Sequence, residues 1–203
     1  MNVAFFAYRP WALEIYNRLK RDTKHNFTPL SKADVALYYG WSKIIPEEIF
    51  KKKLCLILHP SPLPKYRGGS PLQHQIMAGE KTSAVTICQV TENIDAGDIY
   101  SQTPFSLEGS LDDIFKRITT IGTLDTIKIL KKIEDNTIKP IKQDDSQATY
   151  FKRRTLEESE IKNIKSMSAE KLYNFIRALD DPYPNAYITC KDGKKLYLTK
   201  SHL

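Results

Sequence analysis

The sequence predicts an α/β fold: a mostly parallel sheet with helices on both faces. Three observations carry that prediction. Short apolar segments of strand length alternate with segments of helical periodicity through the first two thirds of the chain. The helical segments open on residues that suit helix starts, Pro10, Pro46, Pro71 and Ser110. The five apolar residues Leu54 to Leu58 end at His59 and open into a loop rich in proline and glycine, as a strand buried on both faces does.

Residues 2–8 read as a buried first strand, followed by a helix from Pro10 in which Trp11, Ile15 and Leu19 share a face. Phe27 to Leu30 suits a short strand, and Asp34 to Tyr39 a third one stopped by Gly40. The segment PEEIFKKK has acids at its start and lysines at its end, as the helix dipole favours. Leu54–Leu58 is the next strand, Pro71 to about Gly79 a helix, and Ala84 to Val90 a strand rich in β-branched residues. A further strand lies around Ile99 to Leu107. Ser110, with Asp113 three residues on, caps a long helix that ends near Asn136. Beyond Pro140 the chain turns polar, with QATYFKRR as a strand candidate. Ser168 caps an amphipathic helix, DPYP breaks it, and an Asp-Gly turn joins Tyr187–Cys190 to Leu196–Thr199 in a hairpin. The expected division is a main domain over 1–142 and a small C-terminal subdomain, helix plus hairpin, over 143–203 packed on it.

Composition excludes some classes and leaves others open. With 41% hydrophobic and 27% charged residues, the chain suits a globular domain, and its longest uncharged apolar run is far short of a membrane span of about 20 residues. Residues 1–8 lack a basic leader and a cleavage site, so a cytoplasmic protein with no membrane role is expected. Cys55, Cys88 and Cys190 are odd in number and widely spaced, which fits free thiols and no metal site. A net charge of +7 favours an anionic partner: nucleic acid, a membrane surface or a phosphorylated small molecule. The tight basic runs, Lys51–Lys53 and Lys152–Arg154, read equally well as solvated faces.

His59 is the histidine placed at the C-terminal end of a strand, where ligands of open α/β sheets bind. Asp95 and Asp98 lie in the loop after the next strand. If the two strands are neighbours, a carboxylate can orient the His59 ring and hold its charge. The alternatives are an ordinary strand-to-helix connection with a hydrogen-bonded histidine, and a plain turn at Asp95-Ala96-Gly97-Asp98. The sequence contains no GxGxxG, no Walker-type loop and no GxSxG around Ser61, so nicotinamide binding, nucleotide hydrolysis and serine esterase chemistry are disfavoured. A histidine and an aspartate without a nucleophile suit a transferase in which the substrate itself attacks.

These residues carry a resemblance. HPSPLPKYRGGSP followed by AVTICQVTENIDAGDIY, with 36 residues from His59 to Asp95, resembles the signature of the 10-formyltetrahydrofolate-dependent formyltransferases. YYGWSKIIP is similar to that family's folate-pocket segment. ATYFKRRTLEESEI and NFIRALDDPYPNAYI resemble the segments that come after the catalytic domain in its sugar-modifying members. The resemblance implies a Rossmann-like fold and transfer of a formyl group from 10-formyltetrahydrofolate, a co-substrate, to an amine. It implies that His59 stabilises the oxyanion of a tetrahedral intermediate, and that Asp95 orients His59 and takes the amine proton through water. Trp41, Ser42, Ile44, Leu63, Pro64, Glu92 and Ile94 are implied to bind the cofactor. Arg9, Lys65, Tyr66 and Arg67 are candidate substrate contacts, with bracing of its own loop as the other role for Arg67.

Two departures from the family pattern stand out. The family has asparagine two residues before the histidine, and this chain has Ile57. Gln73, His74, Asn93 or a backbone amide of the Pro60–Leu63 loop are the candidate replacements. Only 45 residues precede Pro46, so an abbreviated N-terminal half is expected. The expected acceptor is the amine of a nucleoside-diphosphate-linked amino-deoxy sugar, in a protein that works without nucleic acid and forms a homodimer. The alternatives are methionyl-tRNA, glycinamide ribonucleotide, and a binding module of the same fold without turnover.

Overall fold

The computed structural model describes residues 1–202. In chain order it contains β1 (Asn2–Phe6), α1 (Pro10–Asp22), β2 (Asn26–Phe27), β3 (Val35–Tyr39), α2 (Glu47–Phe50), β4 (Leu54–His59), β5 (Arg67–Gly68), α3 (Pro71–Met77), β6 (Thr82–Gln89) and β7 (Ile99–Ser106). Next come α4 (Leu111–Glu134), β8 (Tyr150–Phe151), α5 (Ala169–Ala178), β9 (Ala186–Thr189) and β10 (Lys195–Leu198).

The central sheet runs β2-β1-β3-β4-β6-β7. The first four strands are parallel, whereas β6 is antiparallel to β4 and to β7. The mostly parallel expectation therefore holds for the N-terminal part of the sheet. The reversal has a simple cause: α3 has seven residues, about 10 Å of rise, too little to carry the chain back along β4. The chain thus re-enters the sheet from the end at which β4 finished.

Side chains alternate across the pleat. Val3, Val35, Leu37, Tyr39, Leu56 and Leu58 enter a core with Ile15 and Leu19 of α1 and Ile114 and Ile118 of α4. Ala4, Ala36, Tyr38 and Cys55 point the other way, with Ile45 and Ile49, and with Trp41 and Ile57 at the margin. His59 follows Cys55 and Ile57 in this alternation, which brings it to the second face. Helix α4 begins at a reciprocal cap: Ser110 Oγ accepts from Asp113 N at 3.2 Å and the Asp113 carboxylate accepts from Ser110 N at 3.2 Å. No helix among the described residues is long and apolar enough to cross a membrane.

Three elements differ from expectation. The short strand expected over Phe27 to Leu30 ends at Phe27 and gives way to a 3-10 turn at Leu30–Lys32, PEEIFKKK makes a single helical turn, and the QATYFKRR strand is two residues long. β8 nevertheless matters, because it pairs in parallel with β5. The C-terminal helix α5 and the β9–β10 hairpin form a smaller core with Ile161, Ile176, Leu179 and Ala186. Ser168 caps α5 as its sequence predicts, accepting from Lys171 N at 3.2 Å.

Candidate active site

The second face of the sheet, the β3–α2 loop, the loop after β6 and residues from 151–155 and 182–184 enclose a cleft of about 870 Å3. His59 and Asp95 both line it. Gln89 at the end of β6 stands opposite Leu56, so the loop leaves the sheet below His59 and folds back over β4. Asp95 Oδ2 then lies 3.4 Å from His59 Nδ1 and accepts a 2.9 Å hydrogen bond from the Gly68 amide. The two strands are neighbours, as the pairing of these residues requires, but antiparallel ones. His59 is only 5% exposed, and its Nε2 stands 2.8 Å from the Tyr66 carbonyl oxygen. Both ring nitrogens thus face acceptors. A neutral imidazole, with one N–H, satisfies only one of them.

Of the residues expected at the cofactor, Trp41, Ser42, Ile44, Glu92 and Ile94 line the cleft. Ile44 and Ile94 are 91% and 63% exposed, an arrangement that suits apolar lips around a flat ligand. The Trp41 indole N–H is buried and has no hydrogen-bond partner among the described residues, a donor a heteroaromatic ring with polar edges would satisfy. Leu63 and Pro64 do not line the cleft. Leu63 is buried, and its carbonyl accepts from Gln102 Nε2 at 2.8 Å.

Of the expected substrate contacts, Arg9 lines the cleft, its guanidinium lying over the rings of Tyr8 and Tyr183. Lys65, Tyr66 and Arg67 do not line it. The Tyr66 hydroxyl donates to Glu80 at 3.0 Å, and burial pushes its pKa up to about 12. Arg67 is 1% exposed and bonds to Gln143, Tyr150 and Asp145, so its side chain braces the loop.

Part of the wall was not foreseeable from sequence. Lys152, Arg153 and Arg154 join Arg9 and Lys43 there, and none of the five forms an ion pair among the described residues. The basic run is visible in the sequence, but its placement depends on Gly68 and Gly69. A Cβ at either would collide with the backbone of Phe151 or Arg153, so the pair of glycines lets this strand lie against the loop. Burial holds the Arg154 guanidinium below the usual arginine range, against Glu158, and its Nε has no partner among the described residues.

The candidates for the amide missing at Ile57 also separate. Ser61 N and Leu63 N are committed to the carbonyls of His59 and Ser61, each at 3.0 Å. His74 Nε2 lies 3.0 Å from the Lys152 carbonyl, and Asn93 is exposed outside the cleft wall. Gln73, 5% exposed, lines the cleft with Ile57.

A buried histidine–aspartate pair on the wall of an α/β cleft suits direct transfer of a group between two bound molecules. The nearby nucleophiles are otherwise engaged: Ser61 Oγ donates to the Lys65 carbonyl at 2.8 Å, and burial raises the Cys88 thiol pKa. The comparisons agree with that class. The profile of the formyl transferase family matches residues 15–123, and that of the methionyl-tRNA formyltransferase C-terminal domain matches 156–203. The chain belongs to the formyl transferase family. A methionyl-tRNA formyltransferase of Lachnospira eligens is 36% identical over 168 residues, covering 81% of this chain and 52% of that protein. The chain thus spans about half the length of the curated relatives it matches. A solved methionyl-tRNA formyltransferase from Clostridium thermocellum superposes with a TM-score of 0.81 at 32% identity, over 97% of this chain and 96% of that one. The fold is shared with a likely sugar N-formyltransferase, Rv3404c, of Mycobacterium tuberculosis, with a TM-score of 0.80 at 18% identity over 100% and 97% of the two chains.

Proposed function

We propose that this chain is an N-formyltransferase that moves the formyl group of 10-formyltetrahydrofolate to the amine of a nucleoside-diphosphate-linked amino-deoxy sugar. The observation that carries the reading is the placement of His59 and Asp95 in a cleft that also holds Trp41, Ile44 and Ile94 and five cations without ion-pair partners among the described residues. The apolar residues and the unpaired indole N–H suit a pterin, held by Trp41, Ser42, Ile44, Glu92 and Ile94. Arg9, Lys152, Arg153 and Arg154 suit a diphosphate.

When bound, 10-formyltetrahydrofolate supplies the formyl group. His59 exchanges the Tyr66 carbonyl for the oxygen that gains negative charge as the amine attacks, a stronger acceptor for its N–H. Asp95 Oδ2, 3.4 Å from the opposite ring nitrogen, sets the orientation of the ring. Asp95 Oδ1 has no hydrogen bond among the described residues; it takes the proton leaving the amine and returns it to the departing nitrogen as the bond between that nitrogen and the formyl carbon breaks. Gln73 is the cleft-wall amide that stands in for a donor at Ile57.

The second reading, methionyl-tRNA as acceptor, is favoured by the names of the relatives and by the C-terminal profile over residues 156–203. Purified protein incubated with 10-formyltetrahydrofolate and a panel of nucleoside-diphosphate amino sugars, beside methionyl-tRNA, separates the two. Formylated sugar is the expected product. Turnover of methionyl-tRNA with none of the sugars would replace the first reading by the second, and failure to bind tetrahydrofolate would sink both.

A further inference from the structure

We propose that Gln143 is a positioning residue for Asp95, held in place by Arg67. The inference rests on the reading of His59 and Asp95 as the reacting pair.

Asp95 has a backbone φ of +53°, a left-handed conformation that costs a non-glycine residue on the order of 1 kcal/mol. The turn therefore needs external support, and Gln143 supplies it. Its side-chain Nε2 donates to the carbonyl oxygens of Asp95 and Gly97 at 2.8 and 2.7 Å, using both amide hydrogens on one turn. Its Oε1 accepts from Arg67 Nε at 3.1 Å and Nη2 at 2.8 Å. With two acceptors facing the nitrogen and two donors facing the oxygen, only one orientation of this amide satisfies its neighbours.

Arg67 is itself fixed, donating to the Tyr150 hydroxyl at 2.6 Å and to Asp145 at 2.7 Å. The next residue, Gly68, donates its amide to the Asp95 carboxylate. The Arg67–Gly68 strand thus grips Asp95 twice: directly at the carboxylate, and through Gln143 at the main chain. Gln143 is 6% exposed and, like Arg67, does not line the cleft. Any effect of Gln143 on turnover therefore passes through the residues it holds, Asp95 and Gly97 on one side and Arg67 on the other. The geometry also makes the reacting carboxylate depend on a residue past position 142, outside the sheet and its helices.

Gln143→Glu is the informative variant. It keeps the shape and the Arg67 pair, but replaces two N–H donors by a carboxylate facing two carbonyls. The kcat is expected to fall about tenfold to a hundredfold, as small displacements of a reacting group do, while KM for both substrates changes by less than about twofold. The double variant with Asp95→Asn is expected to be no slower than Asp95→Asn alone, because the lost support has nothing left to position. Thermal melting, and quenching of the fluorescence of Trp11 and Trp41 by tetrahydrofolate, check that fold and cleft survive. If Gln143→Glu does not fold, Gln143→Met takes its place with the same expected kinetics. Losses that multiply in the double variant, a loss carried by KM, or parental kcat in the single variant would each overturn the proposal. Parental activity in Asp95→Asn is a different result, and would overturn the assignment of the reacting pair instead.

Discussion

Asp95 Oδ2 lies 3.4 Å from His59 Nδ1, and the Gly68 amide holds that same oxygen at 2.9 Å. The carboxylate is thus fixed before any substrate arrives, at a distance that can tighten once substrates are bound. Asp95→Asn preserves the shape and can still accept from Gly68, but it removes the negative charge. On the proposed reading, His59→Ala removes the donor to the oxyanion. Each is expected to lower kcat by about 10²–10³, the usual cost of losing such a group. Parental rates in either variant, with unchanged melting, would contradict the assigned roles.

The cations of the cleft wall lead to a second expectation. Arg153 is exposed and reaches Ser42 Oγ at 3.4 Å, while Lys152 and Arg9 also line the cleft, without ion-pair partners among the described residues. Arg153→Ala and Lys152→Ala are expected to raise KM for a diphosphate-bearing acceptor by about twofold to fivefold each, with kcat little changed, as loss of uniform binding does. The effect should shrink as salt rises, because exposed charges are screened. Steady-state kinetics at two ionic strengths checks both statements. A salt-independent KM would remove this wall from acceptor binding.

How far the sequence carries can be judged residue by residue. The alternation of Leu54 to His59 and the cap at Ser110 are readable because they depend on neighbours in sequence. The pairing of His59 with Asp95 comes from the family resemblance, because the residues alone leave Asp98 and a plain turn open. The direction of β6 is not, since it depends on the short reach of α3. The fate of Arg67 is hidden as well: KYRG reads as a polar loop, and only the folded chain brings Gln143, Asp145 and Tyr150 to enclose its guanidinium. For the same reason Lys152–Arg154 reads as a solvated run. Its place on the cleft depends on β5–β8 pairing, a contact between segments 83 residues apart.

The three thiols should differ sharply in reactivity. Cys55 and Cys88 are buried, and burial pushes the Cys55 pKa up to about 11 and that of Cys88 higher. Cys190 is exposed. The thiolate is the reactive form, so a disulfide reagent at pH 8 should titrate one thiol in the native protein and three after denaturation. Cys190→Ser is expected to abolish the native reaction. Rapid labelling of two or more thiols under native conditions would mean that the second face of the sheet opens.

His25 gives stability a pH dependence of definite sign. It lies just after α1, with Nδ1 3.4 Å from Glu134, whose carboxylate also holds the N-terminal ammonium at 2.7 Å. Burial lowers the His25 pKa, Glu134 opposes that shift, and the N-terminal charge adds to it. The unfolded chain therefore binds a proton at His25 more readily than the folded one. Stability from the neutral ring is present above the unfolded value of about 6.5 and declines as pH falls below it toward the lower folded value. The Glu134 carboxylate, lowered chiefly by its hydrogen bond to the ammonium, contributes the same sign of slope only near and below its ordinary value of 4.5. Melting temperature should thus fall between pH 7 and pH 5 in the parent and fall less in His25→Gln. Equal slopes in the two proteins over that interval would show that burial of His25 is not the source.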